Sequence, residues 1–185
     1  MICHSDMGVR GTRPGMQKAV EPVKKKRQYN TDTHRELCLI VGKWLRKSGR
    51  IRPVSCPYVA IELVTASQET PDVFGWNYWA SVLIEVKVSR SDFLADSKKP
   101  FRIEPESGIG DFRYYCCPKG MLIPDEMPPN WGLLYESDGC IEVVKEAEMQ
   151  DANHYSERQI LASIMRRESI KPKLFDYRNK NDEKV

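Results

Sequence analysis

The chain has 185 residues, of which 41% are hydrophobic and 30% are charged, and its formal net charge is +3. This length is typical of one domain, and the apolar content supports a core and excludes a disordered chain. No apolar run approaches the roughly 18 residues of a membrane span, and residues 1–16 lack the apolar segment of a secretory signal. The six cysteines form no C-x-x-C pair. This argues against a zinc ladder or a disulfide framework and predicts free thiols in the cytoplasm.

The basic charge is concentrated at the N-terminus. Residues 1–28 carry seven basic and two acidic residues, which leaves a net charge of −2 for the other 157. This segment has no hydrophobic period and includes the run KKKR at 24–27, so we predict a solvated, disordered tail. A folded domain is predicted over 29–170, followed by a polar C-terminal tail over 171–185. A domain of this charge would bind a polyanion through a local patch, the tail or a metal.

The predicted elements of this domain include both helices and strands. A helix over 32–47 has an apolar stripe at helical spacing, and Thr33 to Glu36 reads T-x-x-E, a capping-box pattern. The pair Asp138-Gly139 predicts a tight hairpin turn. The predicted strands cover 59–64, 72–76, 81–89, 112–117, 131–135 and 140–144, and further helices cover 90–99, ending before Pro100, and 157–168. This order predicts an α/β fold with a mixed β-sheet flanked by helices.

The strand over 81–89 carries two charged side chains among apolar and serine residues. Glu85 and Lys87 are two residues apart, so they project from the same face of the strand. Asp72 belongs to the preceding predicted strand, and a hairpin between the two strands would bring it beside Glu85. Two facing carboxylates repel unless a cation lies between them, and hard oxygen ligands suit Mg²⁺ or Mn²⁺. With Lys87 as a point charge for a phosphate or its attacking water, the pattern indicates metal-assisted phosphodiester hydrolysis.

The same residues resemble a known nuclease motif. The dipeptide PD at 71–72, twelve intervening residues and EVK at 85–87 are similar to the motif of the PD-(D/E)XK nuclease superfamily. The segment KVSRSDF at 87–93, with the sequence that follows it, resembles more specifically the MmcB-like DNA-repair nucleases. The resemblance extends over residues 31–146. It implies a restriction-endonuclease-like core and a Mg²⁺- or Mn²⁺-dependent deoxyribonuclease.

The resemblance implies a role for each position of the motif. Asp72 and Glu85 would ligate the metal, and the Val86 carbonyl would be a third ligand. Lys87 would orient or activate the attacking water. The superfamily often adds a glutamate from the first helix, and Glu36 stands where that glutamate is expected.

Glu62 is an alternative to Glu36 as the additional ligand, because it interrupts the apolar pattern of the strand over 59–64. DNA is the expected partner, and a homodimer is compatible with the resemblance to nucleases that cut both strands. Phosphate contacts are expected from Arg90, Lys98 and Lys99.

Simpler interpretations stay open for several of these residues. Glu85 and Lys87 also match a cross-strand ion pair on a solvated face, and Asp72 matches a turn residue. The main functional alternative is a non-catalytic nucleic-acid-binding module that keeps the fold without cutting. A third interpretation is a structural or interaction protein in which Glu85 and Lys87 merely pair. His34 and His154 show no metal-ligand spacing and are predicted at the surface.

Overall fold

The computed structural model describes residues 31–47, 56–64 and 69–170. The predicted tails over 1–28 and 171–185 lie outside these ranges. The helices are α1 (Thr31–Arg46), α2 (Arg90–Asp96), α3 (Pro100–Ile103) and α4 (His154–Arg167), and short 3₁₀ helices cover Pro105–Ser107 and Pro124–Glu126. The strands are β1 (Tyr58–Ile61), β2 (Val73–Trp76), β3 (Ser81–Val86), β4 (Phe112–Pro118), β5 (Gly132–Ser137) and β6 (Cys140–Lys145).

The strands of the described residues form one six-stranded mixed sheet in the order β1-β2-β3-β4-β5-β6. The pairs β1–β2, β2–β3 and β5–β6 are antiparallel, whereas β3–β4 and β4–β5 are parallel. Each parallel pair needs a crossover, and α2 with α3 lies within the connection from β3 to β4. The prediction of an α/β fold with a mixed sheet and flanking helices is confirmed.

The two faces of the sheet carry separate hydrophobic clusters. On one face, α1 packs its apolar stripe against alternating residues of β3, and these residues are Leu37, Cys38, Val41, Leu45, Val82, Ile84 and Val86. The other face packs β3, β4 and β5 against α2 and α4 through Leu83, Tyr115, Leu133, Phe93 and Ile160. This alternation is the period-2 pattern predicted for the strand over 81–89.

Close packing places α1 directly against β2. A Cβ atom at Gly75 would lie 2.6 Å from a methyl carbon of Leu45, so β2 accepts no side chain there. The helix therefore lies directly on the strand whose N-terminal neighbour is Asp72.

Several predicted boundaries are wrong for local reasons. The helix α1 begins at Thr31, so Thr33 lies inside its first turn. The T-x-x-E pattern therefore does not mark the N-terminus of this helix. The strand predicted over 59–64 ends at Ile61, because Glu62 adopts a left-handed φ of 48° that an extended strand excludes. The hairpin turn at Asp138-Gly139 is confirmed, with φ values of 53° and 80°.

The segment predicted as one helix over 90–99 is two short helices. Ser89 caps α2 by accepting a hydrogen bond from the Asp92 backbone N–H. Pro100 does not end a helix but begins α3, a position where its fixed φ and missing N–H are tolerated. The helical backbone is therefore interrupted after Asp96, and Lys99 is extended (ψ 142°) just before α3.

No helix within the described ranges is long and apolar enough to cross a membrane.

Candidate active site

Asp72 lies at the end of the β2–β3 hairpin. The last backbone pair of this ladder is Val73 with Ile84, and one step further Asp72 comes beside Glu85. The Val86 N–H donates to Asp72 Oδ2 at 2.8 Å, so this carboxylate continues the ladder in place of a backbone carbonyl. The predicted hairpin between the two strands is confirmed, and it places the two carboxylates on neighbouring strands.

Glu85 and Lys87 project from the same face of β3 into the protein interior. The Lys87 Nζ atom lies 2.9 Å from Glu85 Oε2. Glu85 is 1% exposed and Lys87 is 3% exposed, so the alternative of an ion pair on a solvated face is wrong. Burying such charges costs several kcal/mol each unless their partners are well placed. The surrounding residues must therefore supply further charge compensation.

Four further side chains supply this compensation. We call the whole set the ion cluster, and its members are Glu69, Glu85, Lys87, Asp96, Lys99 and Arg102. Asp96 Oδ1 lies 3.1 Å from Lys87 Nζ and 2.6 Å from Lys99 Nζ. Arg102 lies 2.8 Å from both Asp96 and Glu69 through different nitrogen atoms. The cluster contains three carboxylates and three cations, so its formal charges balance.

The turn between α2 and α3 positions the cations of the cluster. Asp96 is the last residue of α2, and Pro100 starts α3 in a new direction, which returns Lys99 and Arg102 toward β3. The Arg102 guanidinium lies 4.6 Å from the centre of the Trp131 ring, a cation–π distance. These contacts fix the guanidinium beside the carboxylates.

Tyr115 closes the cluster from β4. Its hydroxyl donates to Asp96 Oδ2 at 2.6 Å, and its ring stacks on Trp131 at a centroid separation of 4.6 Å. Lys87 Nζ lies 5.9 Å from the centre of the Tyr115 ring. The aromatic wall limits the access of water and keeps the local dielectric low.

The two facing carboxylates have different proton affinities. Burial raises the pKa of Glu85 and Asp72 adds to that shift, against the opposing effects of Lys87, Arg102 and Lys99. Burial would also raise the pKa of Asp72, but a hydrogen bond from His34 and the charge of Lys87 hold it below its usual range. Asp72 is therefore the more permanent anion of the pair.

One oxygen of Glu85 has an unfilled bonding position. Within the described residues, Glu85 Oε1 is buried and has no hydrogen bond. Arg102 Nη2 lies 3.4 Å away but is too poorly aligned to donate. A buried carboxylate oxygen without a donor is costly, and a divalent cation between Glu85 and Asp72 would satisfy it. These carboxylates therefore fit Mg²⁺ or Mn²⁺.

His34 contacts Asp72 from the opposite side. Its Nε2 atom lies 3.5 Å from Asp72 Oδ2, and its side chain is 25% exposed. The hydrogen bond to Asp72 raises the pKa of His34 to about 10. The prediction of a surface histidine is wrong for His34, because α1 directs the ring at Asp72, just before the start of β2. His154 fits the prediction, with a side chain 60% exposed beside Glu157.

The two candidates for an additional glutamate ligand occupy different positions. Glu36 is exposed and lies two residues from His34 on α1, so it projects from the other side of the helix. Glu62 Oε1 lies 3.7 Å from His34 Nδ1, and its other oxygen pairs with Arg35. The structure thus brings Glu62, rather than Glu36, to the His34 side of Asp72.

The three predicted phosphate-contact residues have different surroundings. Arg90 is exposed and pairs with Glu126, which offsets its charge. Lys98 is exposed. Lys99 belongs to the ion cluster, although its side chain remains 42% exposed. Lys99 is therefore the one of the three that borders the carboxylates.

The motif missed four residues of this region, Glu69, Asp96, Arg102 and His34, and Asp96 lies on the helix that follows the motif. Glu69 and Arg102 come from segments outside the motif and are brought in only by tertiary folding. His34 could have been found, since His34 and Cys38 are four residues apart on a helix, a spacing that places two ligands on one face.

Comparisons with known proteins add little to this geometry. No family model matches the chain, and no curated protein matches it. Among solved structures, a protein of unknown function from Silicibacter pomeroyi is similar at 23% identity, covering 64% of this chain and 84% of its own, with a TM-score of 0.46. A likeness of this strength carries no argument about function.

Proposed function

We propose that the protein is a metal-dependent nuclease of the PD-(D/E)XK type that hydrolyses phosphodiester bonds of DNA. The observation that carries this proposal is the buried Glu85 Oε1 atom, which has no donor among the described residues. Glu85 stands beside Asp72, one register step beyond the last ladder pair, and on the same face as Lys87. The mixed sheet is compatible with the restriction-endonuclease-like core that the resemblance implies.

In this proposal Asp72 and Glu85 hold Mg²⁺ or Mn²⁺, with the Val86 carbonyl as a further ligand. The metal supplies Lewis acidity and a water of lowered pKa. Asp72 stays ionised because His34 and Lys87 stabilise its negative charge. Glu85 is the less acidic of the two, so cation binding would displace any proton that it holds.

Lys87 would position the phosphate or the attacking water. Burial alone would lower the pKa of Lys87, but the carboxylates of Glu85 and Asp96 outweigh it and raise the pKa above its usual range. The ammonium therefore stays charged and acts as a fixed positive charge rather than as a base. Such a charge stabilises the negative charge that develops on the phosphate in the transition state.

The test is a cleavage assay on labelled single-stranded, duplex, flap and junction DNA with Mg²⁺, Mn²⁺ or EDTA. Asp72→Asn is the informative variant, because Asp72 is partly exposed and lies outside the ion cluster. Alanine at Glu85 or Lys87 would leave a buried charge without its partner and confound catalysis with folding. Glu142→Gln, at an exposed carboxylate, is the matched control.

We expect cutting that requires the metal, stops in EDTA and persists in Glu142→Gln. Asp72→Asn should lower the rate by at least about 100-fold. Loss of an outer-shell partner already costs up to about 100-fold, and Asp72 would bind the metal directly. Full activity of a folded Asp72→Asn protein would contradict the assignment.

A non-catalytic nucleic-acid-binding module is the second candidate. The balanced charges of the ion cluster favour a site that does not cut. Lys87 and Lys99 already neutralise Glu85 through its Oε2 atom, which lowers its need for a metal. This candidate predicts a DNA mobility shift without cleavage on every substrate and with either metal. DNA as partner, cytoplasmic location and a homodimer stay predictions under both candidates.

A further inference from the structure

A second group of potential ligands lies between α1 and the start of β2. His34 and Cys38 are one turn apart on α1, and Cys38 Sγ lies 3.7 Å from His34 Nδ1. Asp72 Oδ2 lies 3.5 Å from His34 Nε2. One ligand atom from each of the three residues lies within 4.8 Å of the other two.

The chemistry of this group differs from that of the Asp72–Glu85 pair. Thiolate and imidazole are ligands that select zinc and similar transition metals over Mg²⁺ or Ca²⁺. Cys–His–carboxylate sets suit tetrahedral coordination at about 2.0–2.3 Å, which places neighbouring ligand atoms roughly 3.3–3.8 Å apart. The 3.7 Å between Cys38 Sγ and His34 Nδ1 lies in that range. The 3.5 Å to Asp72 is measured from the other ring nitrogen, and one imidazole gives a single nitrogen to the ion. Binding through Nδ1 therefore requires the Asp72 carboxylate to move closer from within the 4.8 Å spread of the three ligand atoms.

A structural role alone accounts poorly for the polar side of this group. Cys38 is fully buried among the apolar residues of α1, which is common for a free cysteine. Its sulfur nevertheless faces an imidazole that is itself flanked by two carboxylates, Asp72 and Glu62. Four donor groups thus converge from α1 and from the segments beside β1 and β2.

We propose that His34, Cys38 and Asp72 form a binding site for one Zn²⁺-class transition-metal ion. Cys38 binds as the thiolate and releases its proton to solvent. Glu62 is placed to complete the shell, because its Oε1 atom lies 3.7 Å from His34 Nδ1 and its backbone N–H donates to the Asp72 carbonyl at 2.8 Å. The site does not depend on the proposed DNA hydrolysis, although both use Asp72.

Cobalt titration of the metal-free full-length protein tests the site directly. Co²⁺ replaces Zn²⁺ in such sites, and a thiolate ligand gives it a charge-transfer absorption in the near ultraviolet. We expect one Co²⁺ per chain with this absorption, and its reversal by added Zn²⁺. Absence of the thiolate absorption in the wild-type protein would overturn the proposal.

Variants assign the absorption to individual residues. Cys38→Ser should abolish the absorption. His34→Gln and Asp72→Asn each remove a direct ligand, so each should weaken cobalt binding by at least about 10-fold, the smallest typical cost of losing even an outer-shell partner. Glu62→Gln should weaken it less. Cys140→Ser, at an exposed cysteine, is the matched control. Cys3→Ser is a second control, at a position outside the described residues.

The outcomes separate this proposal from the proposed hydrolysis. Loss of the absorption in Cys140→Ser or Cys3→Ser, with retention in Cys38→Ser, would refute the site. If Cys38→Ser fails to fold, unchanged cobalt affinity in folded His34→Gln would refute it equally. The cobalt titration contains no DNA, so its result does not depend on cleavage, and a protein that cuts no DNA can still bind cobalt at this site.

Discussion

The two ends of β3 bury carboxylates by different means. At the Ser81 end, Asp111 Oδ2 accepts hydrogen bonds from the Ser81 N–H at 2.7 Å and the Ser81 hydroxyl at 3.0 Å. Glu157 Oε1 contacts the same hydroxyl at 2.7 Å and the Gly110 N–H at 2.9 Å. At the other end, Glu85 faces cations on long side chains.

The difference lies in how easily each carboxylate can change partners. At the Ser81 end, backbone N–H groups and a short hydroxyl hold the carboxylate oxygens, and the fold fixes the positions of these donors. At the Glu85 end, Oε1 has no hydrogen bond among the described residues, and one of the neighbouring cations, Lys99, has a side chain that is 42% exposed. The Glu85 end therefore has the freedom that a ligand site requires. Four predictions break or sharpen this comparison.

Asp96→Asn should have the largest effect on stability. Asp96 contacts Lys87, Lys99 and Arg102, and its loss leaves buried cations without full compensation. We expect a decrease of about 3–5 kcal/mol in the free energy of unfolding, measured by urea denaturation at neutral pH. Asp125→Asn, at an exposed position, is the control. A decrease below about 1 kcal/mol would mean that the cluster tolerates missing charges.

The contribution of Asp96 should disappear in acid. Burial would raise the pKa of Asp96, but Arg102 and Lys87 outweigh burial and hold the pKa well below its usual range. A lowered folded-state pKa means that the stabilisation is complete above about pH 4, where the unfolded group titrates. It is lost as the pH falls through the folded-state value. The stability difference between wild type and Asp96→Asn should therefore shrink below about pH 4, and a constant difference would contradict this.

Ser81→Ala should have an intermediate effect. The substitution removes a hydroxyl that contacts both Asp111 and Glu157 but leaves the Ser81 N–H in place. Leaving these buried oxygens short of a donor should cost about 1–3 kcal/mol in the same denaturation experiment. A cost equal to that of Asp96→Asn would remove the distinction between the two ends.

Lys119→Ala should have the smallest effect on the free energy of unfolding. It tests whether burial, rather than the distance between the charges, makes an ion pair costly to break. Lys119 and Glu142 form an ion pair at 2.9 Å, the same separation as Lys87 and Glu85. Their side chains are 60% and 61% exposed, against 4% and 2% for the buried pair. We expect about 0–1 kcal/mol, decreasing further in high salt. A larger loss would show that geometry rather than burial sets the strength of these pairs.

Local pattern was sufficient to predict much of the fold. The alternation over 81–89 and the Asp138-Gly139 turn depend on neighbours within a few residues, so the faces of β3 and the hairpin follow from sequence. The pairing of β2 with β3 also follows, because only four residues separate the strands. These features place Asp72, Glu85 and Lys87 together.

The rest of the site depends on contacts between distant segments. Arg102 and Glu69 are 33 residues apart yet form a buried ion pair, and no local period indicates it. The break after Asp96 was missed because Pro100 can end one helix or begin another. His34 was misplaced because its partner Asp72 lies on another element, and the position of α1 on β2 decides the contact.

The order of strands in the sheet has a consequence for synthesis of the chain. Within the described part of the chain, every strand after β1 lies beside the strand that precedes it in sequence, so the sheet can extend at one edge as the polypeptide emerges from the ribosome. Glu85 and Lys87 then emerge before Asp96, Lys99 and Arg102. During that interval their charges lack the later partners, which favours keeping them hydrated. The interior of this face can therefore close only after α3 has emerged, so a nascent chain whose emerged part ends between Lys87 and Arg102 would hold an open sheet.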